Sequence, residues 1–434
     1  MKRIGLVQGA LRLDTGTSIE PFGDRVGAVP VGNGTLQSWQ EGVLASLGIP
    51  LLERAPASGP YLLFTDRTFF SADAVRRLVA AGPGRLHIDD ADWWSLTGPL
   101  QEVPGPGIYE LALHPGGSPT FEGLPARAVP HGLEDMPLPR VHPAFQHAMG
   151  KIRIGPCLAQ QVHHWSHILR VNQLAMAATV HEAKRDYEGS PWWRKTGIVL
   201  AILARARGAS PDKIGRALCR VGKGARIHPT AVVELSEIGD DVEIGAHAVV
   251  RASVLGKGCK VDDHATVQMS VMADGATVSR YGFLHHSVCW PNAFVSTGGG
   301  FQLCVFGRDS FVAWGATILD LSFGEPAPVW HQGARVSSGA WLLGAAIGHD
   351  ARLGNGVRVN YGATVPNGAF LVADPEPLFR HWGNEPLVPG SPMIVRGGKA
   401  APIRARTQSA PAPGGDGLAG VGPGPGGRRG EAGG

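Results

Sequence analysis

Cysteine is too scarce and too irregular in this chain to build a disulfide framework or a thiolate metal site. Cys157, Cys219, Cys259, Cys289 and Cys304 are odd in number and none stands in a CxxC spacing, which fits free thiols in a reducing compartment. Long apolar runs are missing as well. The longest, Ile198 to Ala204, falls far short of the roughly 20 residues that a membrane-crossing helix requires, and MKRIGLVQGALRL lacks the extended apolar segment of a secretory leader. A soluble, cytoplasmic protein without a membrane span is expected. Nor is there a surplus of one charge: 40 Lys+Arg stand against 36 Asp+Glu, and they form no basic stripe of the kind that tracks nucleic acid. No nucleic-acid partner is expected. After Arg406 the chain reads TQSAPAPGGDGLAGVGPGPGGRRGEAGG, which has almost nothing to bury and cannot offset the entropy of ordering itself. Disorder is expected from about residue 407.

What the chain does have is a short internal period. From Val221, bulky apolar residues recur at steps of six, six and five, so the pattern closes every seventeen residues. One column reads Val221, Ile238, Leu255, Met272, Cys289, Phe306; the second Ile227, Ile244, Val261, Val278, Val295, Val312; the third Val233, Val250, Val267, Leu284, Phe301, Ile318. Two residues before each position the side chain is small, as at Ala248, Ser253, Cys259, Ala265 and Ser270, with Val242 the exception. A triangular coil with one bulky residue per face and a small one at each tight corner gives this signature; a lone strand or helix does not. Such coils stack about 4.8 Å apart through backbone hydrogen bonds, as strands do in any sheet. After Phe323 the next position, Val336, comes thirteen residues later, so seven residues of Gly324 to Arg335 must loop out before the pattern resumes at Leu342, Ile347, Leu353, Val359, Val365 and Leu371. The fold class is therefore mixed: an α/β domain over 1–140, a helical linker over 141–220, a parallel β-helix of about eight seventeen-residue coils over 221–372, and a C-terminal extension over 373–434. The linker shows Trp165, Ile168 and Leu169 at helical spacing and a second helical run after Pro191-Trp192-Trp193.

Hexads such as IGDDVE, IGAHAV, LGKGCK, IGHDAR and LGNGVR resemble the [LIV]-G-x-x-x-x repeat of hexapeptide-repeat acyltransferases, and the likeness covers 221–372. The stretch VAWGATILDLSF, followed by a loop and LLGAAIGHDARLGNGVRVNYGATV, is similar to part of the bifunctional sugar-1-phosphate nucleotidyltransferase/acetyltransferases. Here that family's loop asparagine is absent, and His349 stands where an aspartate follows IG. In the first 140 residues RIGLV, VGAVPVGNGTLQSWQEGVLASLGI and PYLLFTDRTFFS resemble the nucleotidyltransferase half, with Val29-Pro30-Val31 and Asp66 at matching positions. Gly16-Thr17-Ser18 lacks the arginine that follows in the family's phosphate loop, and Val26 stands where its lysine belongs. The resemblance implies a left-handed winding, a homotrimer, acyl-CoA (acetyl-CoA) as co-substrate, and a sugar, sugar phosphate or nucleotide sugar as acceptor. It also implies a degenerate nucleotidyltransferase-like domain in which Gly9, Gly16, Thr17 and Asp66 are the candidate nucleotide-binding residues. Asp66 is the candidate ligand for Mg2+ if that domain is active.

Acyl transfer from a thioester needs a base that works near neutrality, and histidine is the usual choice. His285 and His286 are the first candidates because they follow the inward Leu284 and precede the corner Ser287. His331, in the looped-out segment, and His349 are the alternatives. His247, His264 and Tyr281, seventeen apart, should stack on an outer corner, as a subunit contact or a solvated stripe. Adjacent residues on a helix point apart, so His163, His164 and His167 are expected to be packed or solvated and not to hold a metal. A zinc site of the carbonic anhydrase kind, which uses this scaffold, would need a histidine five residues after His349, where Gly354 stands. The expected function is acyl transfer; the rival is a non-catalytic scaffold or sugar-nucleotide-binding protein derived from such an enzyme.

Overall fold

The computed structural model describes residues 7–136, 152–208, 210–297 and 300–374, together with Leu378, Arg380, Trp382, Pro386, Pro389 and residues 393–402. Residues 141–151 of the expected linker and the expected disorder of the tail lie outside them. The N-terminal region is built on YLLFT, five residues buried on both faces, as a central strand must be. This strand, Tyr61–Thr65, pairs in parallel with Ala10–Leu13 and antiparallel with Ile108–His114; Gly84–His87 and Ala126–Ala128 complete a five-stranded mixed sheet. Helices α1 (Leu36–Ser46), α2 (Ala72–Ala81) and α3 (Ala91–Thr97) each start at a side chain, Thr35, Ser71 or Asp90, that accepts the backbone N–H three residues on. A strand from the expected linker, Ala159–Gln161, pairs antiparallel with Thr68–Phe70.

Three helices lead from this region to the repeats: α4 (Trp165–Glu188), α5 (Trp192–Ala206) and α6 (Pro211–Ala217). The first half of α4 buries Trp165, Ile168, Leu169 and Val171. Its Asn172 donates to Pro30 O at 2.8 Å and accepts from Gly32 N at 2.9 Å, fixing the helix to the sheet region. No helix among the described residues is long and apolar enough to cross a membrane.

The repeats form a parallel β-solenoid. Its first wall runs from Arg220–Val221 to Thr364–Val365 and its second from Arg226–Ile227 to Phe370–Leu371, eight strands in each. The third runs over five strands, from Val232–Glu234 to Gly300–Gln302, and is continued by the pair Thr317–Ile318 and Arg358–Val359. The seventeen-residue period is the register itself: Ile244 lies opposite Val261, and Val261 opposite Val278, all three buried in one core with Val242. The glycine of each hexad is demanded by stacking. A Cβ on Gly239 would meet the Gly256 backbone at 2.7 Å, and one on Gly348 would meet Asn367 N at 2.6 Å.

The insertion is larger than the sequence pattern indicates. Phe306 pairs with Ile347 and Ile318 with Val359, forty-one residues apart instead of seventeen, so twenty-four residues leave the coil and not seven. Phe323 is 74% exposed, Val336 pairs with Val329 in an antiparallel hairpin, Pro328–His331 with Ala334–Ser337, and Leu342 bridges Leu321. None of the three is an inward wall residue. Val329 of the hairpin and Ala327 just before it are buried in the core of the α/β region, which takes their apolar surface out of water.

That core also takes in the outer face of the first wall. Its outward column changes from Glu237 to Val254, Val271, Val288, Val305 and Ala346, and the last four are buried with Trp165, Ile168 and the sheet residues. A wall covered on both sides is apolar on both sides. From Asp374 the chain forms a second unit; its described residues include an antiparallel hairpin, Met393–Arg396 with Lys399–Pro402.

Candidate functional site

At several corners where a coil turns toward the second wall, one side chain accepts the backbone N–H of the preceding coil. Asp240 does so for Lys223, Asp274 for Lys257 and Asn367 for His349. His349 stands in this column, and its Nδ1 accepts from Arg308 N at 2.7 Å. The proton is therefore on Nε2, which donates to Asp24 Oδ2 at 2.6 Å. Arg308 holds the other carboxylate oxygen at 2.8 Å, and the Trp290 ring lies 4.9 Å from His349 and 5.4 Å from Phe22. The imidazole thus does what aspartate does in its column and has a second nitrogen left over to grip the α/β region. With both nitrogens engaged it has no lone pair for a substrate proton. A cleft of about 260 Å3 opens beside this clamp, between Pro30 and Thr35 on one side and Trp290 and Arg308 on the other.

His285 lies on the outward face of the third wall, in a polar column with Glu234, Arg251, Gln268 and Gln302. Its Nδ1 is 3.3 Å from Gln302 Oε1 on the next coil. An amide oxygen only accepts, so Nδ1 carries a proton and, in the neutral ring, Nε2 is the acceptor. His286, at the corner with φ of 46°, differs. Its Nδ1 is 3.3 Å from the Gln173 amide of α4; burial, and then the neighbouring His285, push its imidazole down to about 4. The two rings are 4.3 Å apart and both are half-buried, yet only His285 is oriented by a carbonyl oxygen.

In the α/β region Gly16, Thr17 and Asp66 come together where the parallel strands Ala10–Leu13 and Tyr61–Thr65 end, which is the edge at which open α/β sheets bind ligands. Gly9 lies at the opposite end, where a Cβ would sit 2.8 Å from Pro50 O. Asp66 Oδ1 accepts both the Thr15 N–H, at 3.1 Å, and its hydroxyl, at 2.8 Å. Gly16 N donates to Asp14, itself paired with Arg25 at 2.9 Å. Thr15 donates to Asp66 and Gly16 to Asp14, and among the described residues no group of three or more His, Cys, Asp or Glu is gathered as a metal site.

His331 faces Glu102 at 3.7 Å and packs edge-on against His164, ring to ring 5.6 Å. His164 caps α4 by accepting Ser166 N, and His167 accepts His163 N while its Nε2 meets Pro99 O at 3.0 Å. These three are packed groups. Burial, then Arg67, holds His163 at about 4; burial, then His331, holds His164 at about 3; burial holds His167 well below the ordinary range. Burial alone would raise the Glu110 carboxyl beside them, but its hydrogen bonds to Arg67 and Thr65 keep it below the usual value. His247, His264 and Tyr281 stack as the period requires, with ring centroids 5.0 Å apart at each step. All five cysteines are free and buried, and burial pushes the thiols of Cys157, Cys259 and Cys304 up to about 12, so none is a nucleophile near neutrality.

Sequence reasoning missed Gln302, Gln173, Trp290, Arg308 and Asp24. Gln302 was within reach, being seventeen residues after His285; Asp24 was not, because it meets His349 across 325 residues. No protein-family model matches the chain, and no curated protein matches it either.

Proposed function

We propose that this chain is an acyltransferase that moves an acyl group, acetyl in the first instance, from acyl-CoA to a sugar, sugar phosphate or nucleotide sugar, with His285 as the base. A parallel β-solenoid is compatible with acyltransferase-like proteins. The observation that carries the reading is the hydrogen bond between His285 and Gln302, which holds a proton on Nδ1 of a half-buried ring and makes Nε2 the acceptor of the neutral tautomer. In this reading Nε2 takes the proton of the acceptor's amine or hydroxyl as that atom attacks the thioester carbonyl. The C–S bond then breaks, and the CoA sulfur leaves and is protonated. Gln268 and Gln302, on either side of His285, suit the hydroxyls of a sugar. Release of free thiol from acetyl-CoA in the presence of amino sugars and sugar phosphates tests this. His285→Asn should lower turnover by roughly a hundredfold or more, the usual scale for a positioned base, with His286→Asn much milder. Thiol release equal to the no-acceptor control across the panel sinks the proposal.

A second reading, a sugar-nucleotide-binding protein without chemistry, is favoured by one observation: the Asp66 carboxylate is engaged by Thr15 of the neighbouring loop. In a thermal-shift comparison, stabilisation by CoA supports the enzyme, and stabilisation by nucleotide sugars alone supports the binding protein.

A further inference from the structure

We propose that α5 is a membrane-surface anchor that lies in the plane of an anionic bilayer. Helix α5 presents Trp192, Trp193, Thr196, Val199, Leu200 and Leu203 on one face, the spacing of successive turns. That face is open to solvent: Trp192 is 78% exposed, Trp193 64% and Leu200 60%. The opposite face, through Ile198, Ile202 and Ala206, turns inward, and among the helices α5 packs chiefly on α6. A solvent-facing stripe of this kind is not a satisfied core helix; it lacks the surface that should cover it.

Charge identifies the cover. Residues 191–208 contain Arg194, Lys195, Arg205 and Arg207 and no acidic residue. At the end of α4 Glu188 is matched by Lys184 and Glu182 by Arg76 and Arg185, so Asp186 is the one further acid of that turn set against the four cations. A second copy of the chain laid on this face would bring two cationic rims together, a like-charge juxtaposition that opposes association. A bilayer with anionic headgroups satisfies both parts, taking the indoles and Leu200 at the headgroup boundary and Arg194, Lys195 and Arg207 at the phosphates, while Arg205 is turned onto the Cys219 carbonyl at 2.9 Å. Fifteen residues of helix extend about 22 Å at 1.5 Å per residue, too short for the roughly 30 Å hydrocarbon core, so the helix lies on the membrane and does not cross it. This inference stands apart from the acyltransfer reading.

The test is co-flotation of the purified full chain with vesicles of phosphatidylcholine alone and of phosphatidylcholine with phosphatidylglycerol, at low and high salt. The chain is expected to float with the anionic vesicles at low salt and to be released by high salt. Replacing Trp192 and Trp193 together by serine should reduce partitioning roughly tenfold or more, as the buried apolar area falls. Arg194→Gln should reduce it about fivefold, the loss of one cation at an anionic surface. All three positions are exposed, so an unchanged thermal melt certifies the fold of the variants. Failure to float with anionic vesicles overturns the proposal. So does a concentration-dependent oligomer in light scattering that the double tryptophan substitution abolishes, which would make the occupant a second copy of the chain.

Discussion

The small corner residues of the repeat do more than fit. Ser236, Ser253, Ser270 and Ser287 stand one above another. In this column each hydroxyl oxygen accepts the backbone N–H of the next coil, and the same hydroxyl donates to the carbonyl two residues back. Cys219 begins the column, with Ser236 N at 3.5 Å from its sulfur, and Cys304 ends it. Size explains why the position is small; the ladder explains why it is serine. Ser270→Ala leaves the Ser287 N–H buried without a partner, and should cost about 1–3 kcal/mol, measured as a lower urea midpoint with an unchanged slope. Ser270→Cys should cost less, since sulfur already fills this place at Cys219. His349 is read the same way. It replaces a carboxylate as acceptor for Arg308 N, and its other nitrogen ties the solenoid to Asp24. His349→Asp should keep the corner and lose the tie, seen as faster hydrogen exchange in the turn around Phe22 to Asp24 with the solenoid amides still protected.

At the scale of elements, the first wall and the inserted hairpin decide how the α/β region is held. The wall's outward valines and the hairpin's Val329 share one core with α4, so neither is an ornament on a finished prism. Val305→Lys places a charge where the native side chain is fully buried, without an acidic partner within the apolar cluster. A loss of several kcal/mol is expected, because an unpaired buried charge is among the few single changes that cost more than about 3 kcal/mol. The same substitution at Val254, near the start of the column and less deeply buried, should be far milder. Equal urea midpoints for the two variants would contradict the packing described. Position along the column, not residue type, sets the outcome.

For the whole molecule, burial of histidines makes stability depend on pH. His163, His164 and His286 sit at about 4, 3 and 4 in the folded chain, against 6.5 for an ordinary imidazole. Their folded values are depressed, so between those limits the unfolded chain binds more protons. The stability they contribute is complete above about pH 6.5, declines as the pH falls, and is gone once it has passed through the folded values. Each unit of separation contributes about 1.4 kcal/mol, so urea midpoints should fall steeply between pH 6.5 and pH 4, and His164→Gln should flatten that slope. By itself the sequence determined the solenoid. A seventeen-residue period is a local rule repeated by every coil, and it located the inward residues outside the insertion and the stacked His247, His264 and Tyr281, while helical spacing located the helices on either side of Pro191. Tertiary structure alone decided the rest. The insertion left the prism, and its Val329 is buried outside it in the core of the α/β region. His285 and His286 parted because one faces Gln302 and the other lies under α4, and His349 became a clamp because Asp24, hundreds of residues away along the chain, folds onto its corner. Periodicity reports what a residue does for its own coil; it carries no record of which distant surface will come to rest against it.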